Sequence, residues 1–321
     1  MADHLRWGIL GAAKFAREFM GPAIHAARRG ELVALATSSP EKAAPFAAFA
    51  PGLRVHDSYD AFLADPEIDA VYIPLPNHLH VEWTDKALKA GKHVLCEKPM
   101  ALAAGEIDGL IAARDTAGKL AAEAYMIVHH PQWHKARALL AEGAIGTLRM
   151  VDAGFSFFND DGGNIRNKPE TGGGGIRDIG VYIYGCTRFV TGEEPEEIVS
   201  ARVDWENGVD TFASIAARFP SFDYAGYVST RLSPYQEVTF HGTDGVMKLT
   251  TPFNARVFGE ARLEVRRGME VVTHRWPQAD HYVLQVEAFN ASALDGDDYP
   301  CPLEFSRGTQ RMIDMVFAKA G

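Results

Sequence analysis

Cysteine is scarce. The 321 residues hold three, Cys96, Cys186 and Cys301, with no CxxC pair and no zinc-ligand spacing around any of them. That excludes a disulfide scaffold and a structural zinc module, and fits free thiols in a reducing compartment. Positive charge is also in deficit: 32 Lys and Arg against 42 Asp and Glu, a formal net charge of −10. A surface of that sign repels phosphate backbones and anionic lipid, so neither nucleic acid nor a membrane surface is an expected partner. No stretch approaches the ~18 consecutive apolar residues of a spanning helix. The opening MADHLRWGILGAAKF has no basic segment leading into a long apolar one, so no signal peptide is read and a cytoplasmic location is expected.

What is present is an ordinary globular composition, 47% hydrophobic and 23% charged, which excludes wholesale disorder. The length predicts about two domains. Over the first third, short apolar runs alternate with helical stretches. Strands are expected at 5–10 (LRWGIL), 31–37 (ELVALAT), 69–74 (DAVYIP), 93–97 (HVLCE) and 119–125 (KLAAEAY). Helices are expected at 14–29, interrupted at Gly21-Pro22, and at 40–49, 81–90 and 104–117. Such alternation predicts parallel βαβ units, which bind ligands at the carboxyl ends of their strands. The remainder changes character. After a helix near 134–142 come extended segments with polar–apolar alternation at 148–158, 198–205, 211–219, 224–231, 237–241, 246–250, 263–266 and 271–276. They predict a large, mostly antiparallel sheet with one face open to solvent or a partner, closed by helices at 282–294 and 306–318. The expected class is therefore α/β, a parallel-sheet domain over 1–124 followed by a second α/β domain over 125–321.

The strand ends carry the chemistry. The first strand runs into Gly11-Ala12-Ala13-Lys14-Phe15-Ala16, a degenerate form of the G-x-G-x-x-G/A dinucleotide turn. Gly11 permits the tight turn, a small residue at 13 lets a pyrophosphate approach, and Ala16 allows close helix–strand packing. The bland alternative is an Ala-rich turn with no ligand. The second strand ends in Thr37-Ser38-Ser39 with Lys42 one turn on, and no acidic residue stands where one would accept from a ribose 2′-OH. Hydroxyls and a lysine suit a 2′-phosphate instead, which favours NADP over NAD; a serine-rich turn beside a solvated lysine is the alternative. After the third strand, Leu75 and Pro76 lead to Asn77 and His80, which could face a ligand or simply lie at the surface. The fourth strand ends in Glu97-Lys98-Pro99, placing a lysine at the crevice. Glu97 and Lys98, as strand neighbours, point to opposite faces and make a poor ion pair. His129, His130 and His134 invite a metal, but no carboxylate or cysteine completes a ligand set, so none is expected.

In order and spacing these motifs resemble the glucose–fructose oxidoreductase, inositol dehydrogenase and rhizopine-catabolism family, Gfo/Idh/MocA. GKHVLCEKPMAL is the most specific stretch; RWGILGAAKFARE, PLPNHLHVEWTDKAL, EAYMIVHHPQW, GGGGIRDIGVYIYG and HGTDGVMKL extend the likeness over the whole chain. Within the family, RDIGVY and the EAYM and HPQ stretches are most similar to dimeric dihydrodiol dehydrogenases and NADP-dependent D-xylose dehydrogenases. ATSSPEK is similar to 1,5-anhydrofructose reductases. Val128 and Ser38 stand where arginine is common.

The resemblance implies a Rossmann domain, a nicotinamide cofactor and a sugar, polyol or related alcohol or carbonyl substrate. It makes Lys98 the lysine of the EKP motif and puts Asp178 and Tyr182 in the family's D-x-x-x-Y helix. Their i,i+4 spacing sets both on one face. On residue type alone, Tyr182 reads equally as a core aromatic with a satisfied hydroxyl. The 172–175 glycine run is expected to let the backbone pack against another domain or a cofactor. The expected catalytic residues are Lys98, Tyr182 and Asp178. Cofactor contacts are expected from Gly11, Ala12, Ala13, Lys14, Phe15, Thr37, Ser38, Lys42, Leu75, Pro76, Asn77, His80, Glu97 and Lys98. Substrate contacts are expected from Lys98, Tyr125, His130, Arg166, Asp178 and Tyr182. In the expected mechanism Tyr182 exchanges a proton with the substrate oxygen, aided by the charge of Lys98. A homodimer or homotetramer through the open sheet is expected, since an apolar sheet face needs a cover. Two alternatives stand beside the dehydrogenase: an NAD(P)-binding regulator without turnover, and an NAD-dependent glycosidase.

Overall fold

The computed structural model describes residues 3–321. Two compact units share the chain. The first comprises the described residues up to His129 together with His281–Arg307; the second comprises His130–Asp280 and the residues from Gly308 on. A division into 1–124 and 125–321 therefore misses a return. The helix His281–Asp295 belongs to the first unit, where Asn290 accepts from the Trp7 indole at 2.9 Å and Phe289 packs on the same ring. An amphipathic pattern shows that a face is buried, not in which unit.

The first unit is built on β1 (Leu5–Leu10), β2 (Gly30–Ala36), β3 (Arg54–His56), β4 (Ala70–Ile73), β5 (His93–Cys96) and β6 (Ala121–Glu123). All pair in parallel, in the order β3-β2-β1-β4-β5-β6. The direction of winding reverses between β1 and β4, and the carboxyl ends of those two strands frame the crevice such a reversal creates. Continuous burial along β4 reflects cover on both faces. β3, three residues at the sheet edge, was not expected, and neither was the helix Tyr59–Leu63. Both are too short to show periodicity.

The expected interruption at Gly21-Pro22 takes another form. Ala16–Met20 is a π turn that runs directly into the α-helix Gly21–Ala26. Proline has no N–H to give the preceding turn, and it sits where the helix changes winding rather than where it stops.

The second unit contains β7 (Leu148–Phe158), β8 (Glu197–Glu206), β9 (Val209–Arg218), β10 (Asp223–Ser229), β11 (Arg231–Gly242), β12 (Val246–Leu249), β13 (Ala261–Arg267) and β14 (Glu270–Trp276). Their order is β14-β13-β12-β11-β7-β10-β9-β8, antiparallel except for β7 beside β10. Alternating burial along β9 shows that its two faces differ. The helices Pro131–Ala141 and Val181–Thr191 pack together, the second also against β7. Tyr235 and Leu232 remain exposed.

Candidate active site

The turn after β1 has the geometry a pyrophosphate requires. Gly11 has φ +113°, a conformation side chains rarely adopt, and a Cβ there would lie 2.8 Å from Leu75 Cδ2. Gly11 donates to the Ala36 carbonyl at 3.1 Å, which ties the turn to the end of β2. Ala12 and Ala13 are partly exposed and Ala16 is buried, so the backbone at 12–13 stays approachable. Lys14 is exposed and pairs with Glu18 at 4.0 Å, and the Phe15 ring packs on Phe19 and Tyr282. Tyr59, which no motif singles out, carries its hydroxyl to 3.5 Å from the Gly11 Cβ position, with its ring edge-on to Trp83.

At the end of β2, Thr37 and Ser38 line an open cleft of about 690 Å³ together with Pro40, His56 and Asp57. Thr37 Oγ1 accepts from Ser39 N, and Ser39 caps the helix Pro40–Ala43 by accepting from Lys42 N. The Lys42 side chain is exposed and is not part of the cleft wall. Turn, open backbone and hydroxyl-lined cleft together fit a dinucleotide.

The loop after β5 is braced from two sides. His80 is fully buried; Nδ1 lies 2.7 Å from the Pro99 carbonyl and Nε2 2.7 Å from the Leu75 carbonyl. It therefore faces the interior, and links the loop after β4 to the one after β5 instead of meeting a ligand. Burial pushes its pKa down, against the pull of the two carbonyls, and the Lys98 charge adds to the fall. From the other side, Glu123 Oε1 accepts from Met100 N at 2.7 Å. Burial raises the Glu123 carboxyl, while the Met100 and Ser306 bonds and the Lys98 charge act to lower it. Lys98 immediately precedes the two braced residues, with a cis peptide to Pro99. Glu97 accepts from the buried Tyr72 hydroxyl at 2.6 Å and from Lys98 N at 3.3 Å. Asn77 starts the short turn Asn77–Leu79, after Pro76. Tyr125 is buried against Phe305, inside the first unit.

In the second unit, Asp178 and Tyr182 share one helical run, the π turn Ile176–Gly180 continuing as Val181–Thr191. Tyr182 is 6% exposed, its ring set against Phe155 and Phe253 with centroids 5.6 Å away in each case. Asp178 accepts from Arg166 Nε at 2.6 Å, so the expected substrate-binding arginine is engaged with the helix carboxylate. The glycine run packs against its own unit: a Cβ on Gly173 would lie 2.5 Å from the Arg166 carbonyl, and one on Gly174 would lie 2.0 Å from Asp210 Oδ1. Polar side chains of the preceding loop fold the loop. Asn159 accepts from Asp161 N and Asn167 Nδ2, and Asn164 accepts from Arg166 N.

His130 is buried and caps the helix Pro131–Ala141, its Nδ1 accepting from Gln132 N at 3.1 Å; burial lowers its pKa to about 4. That nitrogen thus serves a helix end. Tyr59, His56 and Asp210 had no motif to reveal them. Glu123 opens the EAYM stretch, but nothing local marks its bond to Met100 N.

Comparison with known proteins finds a family model for each of two successive parts of the chain. Residues 5–125 match the model of an oxidoreductase family with an NAD-binding Rossmann fold, and residues 133–248 match the GFO/IDH/MocA C-terminal domain. An oxidoreductase of Rhizobium meliloti is 39% identical, covering 98% of this chain and 96% of its own. The NADP(+) D-xylose 1-dehydrogenase 2 of Haloferax volcanii is 33% identical over 98% and 97% of the two chains. A crystal structure of a 3-ketoreductase from Actinomadura kijaniata, in complex with NADP and TDP-benzene, superposes with TM-score 0.92 at 28% identity, covering 98% of each chain. That enzyme has also been solved with a lysine replaced by alanine and with a tyrosine replaced by phenylalanine. With both domain models matched in order and relatives aligned end to end, the chain belongs to the Gfo/Idh/MocA family of oxidoreductases.

Proposed function

We propose that the protein is an NADP-dependent dehydrogenase or reductase acting on a sugar, a polyol or a related alcohol or carbonyl compound. The observation that carries this reading is the pair of braces, His80 on Pro99 and Glu123 on Met100, that hold the Lys98 loop at the carboxyl end of a parallel strand. A lysine held this way after a dinucleotide-type turn suits a reaction run on a cofactor. The lysine and tyrosine replaced in the solved 3-ketoreductase are separated in sequence by the same number of residues as Lys98 and Tyr182, which supports the pairing.

Gly11, Ala12 and Ala13 would carry the pyrophosphate, and Thr37 and Ser38 the adenosine 2′-phosphate. When bound, the nicotinamide supplies or accepts the hydride. Tyr182 takes the hydroxyl proton in oxidation and returns it to the carbonyl oxygen in reduction. Lys98 orients the substrate oxygen and stabilises the negative charge that develops on it. Asp178, held by Arg166, fixes the substrate face. The exposed sheet face around Tyr235 would be covered by a second copy, giving a homodimer or homotetramer.

The test is a fluorescence titration with NADPH and NADH, then a sugar and polyol panel with the tighter cofactor, on wild type, Lys98→Met and Tyr182→Phe. Tighter NADPH binding, turnover by wild type and loss of turnover in both variants with cofactor affinity retained are expected. Binding without turnover on any substrate would favour a regulator. Glycoside cleavage with no net nicotinamide change would favour the glycosidase.

A further inference from the structure

Asp210 stands at the start of β9, 1% exposed, and its Oδ2 accepts the Ile176 N–H at 2.6 Å. The Gly175 backbone also acts to favour the charged form of the carboxylate. Both residues belong to the beginning of the run that continues through Asp178 to Tyr182. The residues before it are shaped to the carboxylate. Gly174 has φ +113° and no room for a Cβ, which would fall on Asp210 Oδ1, and a Cβ on Gly175 would lie 3.4 Å from Oδ2. We infer that Asp210 is a positioning residue, whose carboxylate clamps the start of the Asp178–Tyr182 helix and so sets the rotation at which those two side chains are presented. The inference rests on the proton-relay reading of Tyr182.

Two physical arguments support it. The run opens with a π turn, Ile176–Gly180, and only then becomes an α-helix. A π turn is wider and less regular than an α turn, so the rotation of the α-helix after it depends on how the free N–H groups of the turn are anchored. A carboxylate offers two oxygens to two such groups and is favoured at the positive end of the helix dipole. The second argument is cost. Burial raises the Asp210 carboxyl to about 6, against the lowering effect of its backbone donors and of Arg177. A folded-state value above the unfolded one means that the charge at neutral pH weakens folding. The fold thus bears a desolvation cost at a carboxylate that is bonded to the start of this helix.

The surroundings of Asp210 are defined. Arg177 acts on it from the helix, and the Asp210 charge in turn raises the buried Tyr184 phenol. β8 sets Trp205 opposite, Thr230 comes after the end of β10 beside Gly175, and Arg231 next to it is paired with Glu206.

The experiment uses the full chain as wild type, Asp210→Asn and Asp210→Ser. Amide hydrogen exchange of peptides covering 172–180 is followed from pH 5 to 8 and corrected for intrinsic rates. Asp210→Asn should show at least tenfold faster exchange there at pH 7.5. With NADP and the best sugar of the panel, its kcat should fall at least tenfold, with KM for NADP unchanged. Unchanged exchange in both variants would overturn the clamp, as would loss of kcat only in step with a fall in Tm and cofactor affinity. Wild-type turnover in Tyr182→Phe would instead remove the relay reading, and with it the catalytic meaning of the clamp. The exchange data separate these two failures.

Discussion

Arg166 donates through Nε to Asp178 Oδ2 at 2.6 Å, joining the loop after β7 to the helix that carries Tyr182. The arginine is partly exposed and the carboxylate nearly buried. Loss of the arginine removes a charge-assisted bond from a carboxylate that is nearly buried. Arg166→Gln should therefore lower kcat/KM by roughly 10–100-fold. Circular dichroism and Tm near wild type would show that the loss is local; full activity would remove Asp178 from the positioning of substrate.

Gly174→Ala tests the clamp from the other side. The new methyl meets Asp210 Oδ1 at 2.0 Å in a backbone conformation with φ +113°. Strain and overlap together should cost at least ~2 kcal/mol. A Tm drop of roughly 3 °C or more is expected in a thermal melt; an unchanged melt would mean that the segment has another conformation.

Gly11→Ala tests the dinucleotide turn. The Cβ would press on Leu75 at 2.8 Å and strain a positive φ. NADPH affinity, read by fluorescence titration, should fall at least tenfold, about 1.4 kcal/mol. Equal affinity would place the cofactor elsewhere.

Two histidines, His130 buried and His93 half-buried, weaken the fold in acid. His93 Nδ1 accepts from Leu120 N at 3.0 Å and His130 Nδ1 from Gln132 N at 3.1 Å, so both rings must be neutral at that nitrogen. Burial lowers each to about 4. The unfolded chain, near 6.5 for histidine, then binds protons that the folded chain refuses. Their contribution is fully present above pH ~6.5 and is lost as pH falls toward 4, up to roughly 3 kcal/mol for each. Asp210 and Glu123, raised by burial, oppose this trend over part of the range. Urea unfolding at pH 7 and pH 5 should show wild type losing stability, and His130→Gln losing less. A His130→Gln slope equal to wild type would mean that His130 is protonated in the folded state.

The sequence by itself determined the alternating βαβ pattern, the change to long antiparallel strands near 148, the Glu97-Lys98-Pro99 strand end and the Asp178–Tyr182 spacing. These are local: a period of 2 or 3.6, or a motif a few residues long, is complete within its own segment. Tertiary structure alone decided that His281–Asp295 returns to the first unit and that His80 joins two loops from within. It also decided that Arg166 holds Asp178, and that Gly174 and Gly175 leave room for Asp210. Each of those facts is a pairing of one polar group with a partner on a different element. Such a pairing is imposed by the need to satisfy buried hydrogen-bonding groups once the chain is packed, and that need leaves no periodic trace in the sequence.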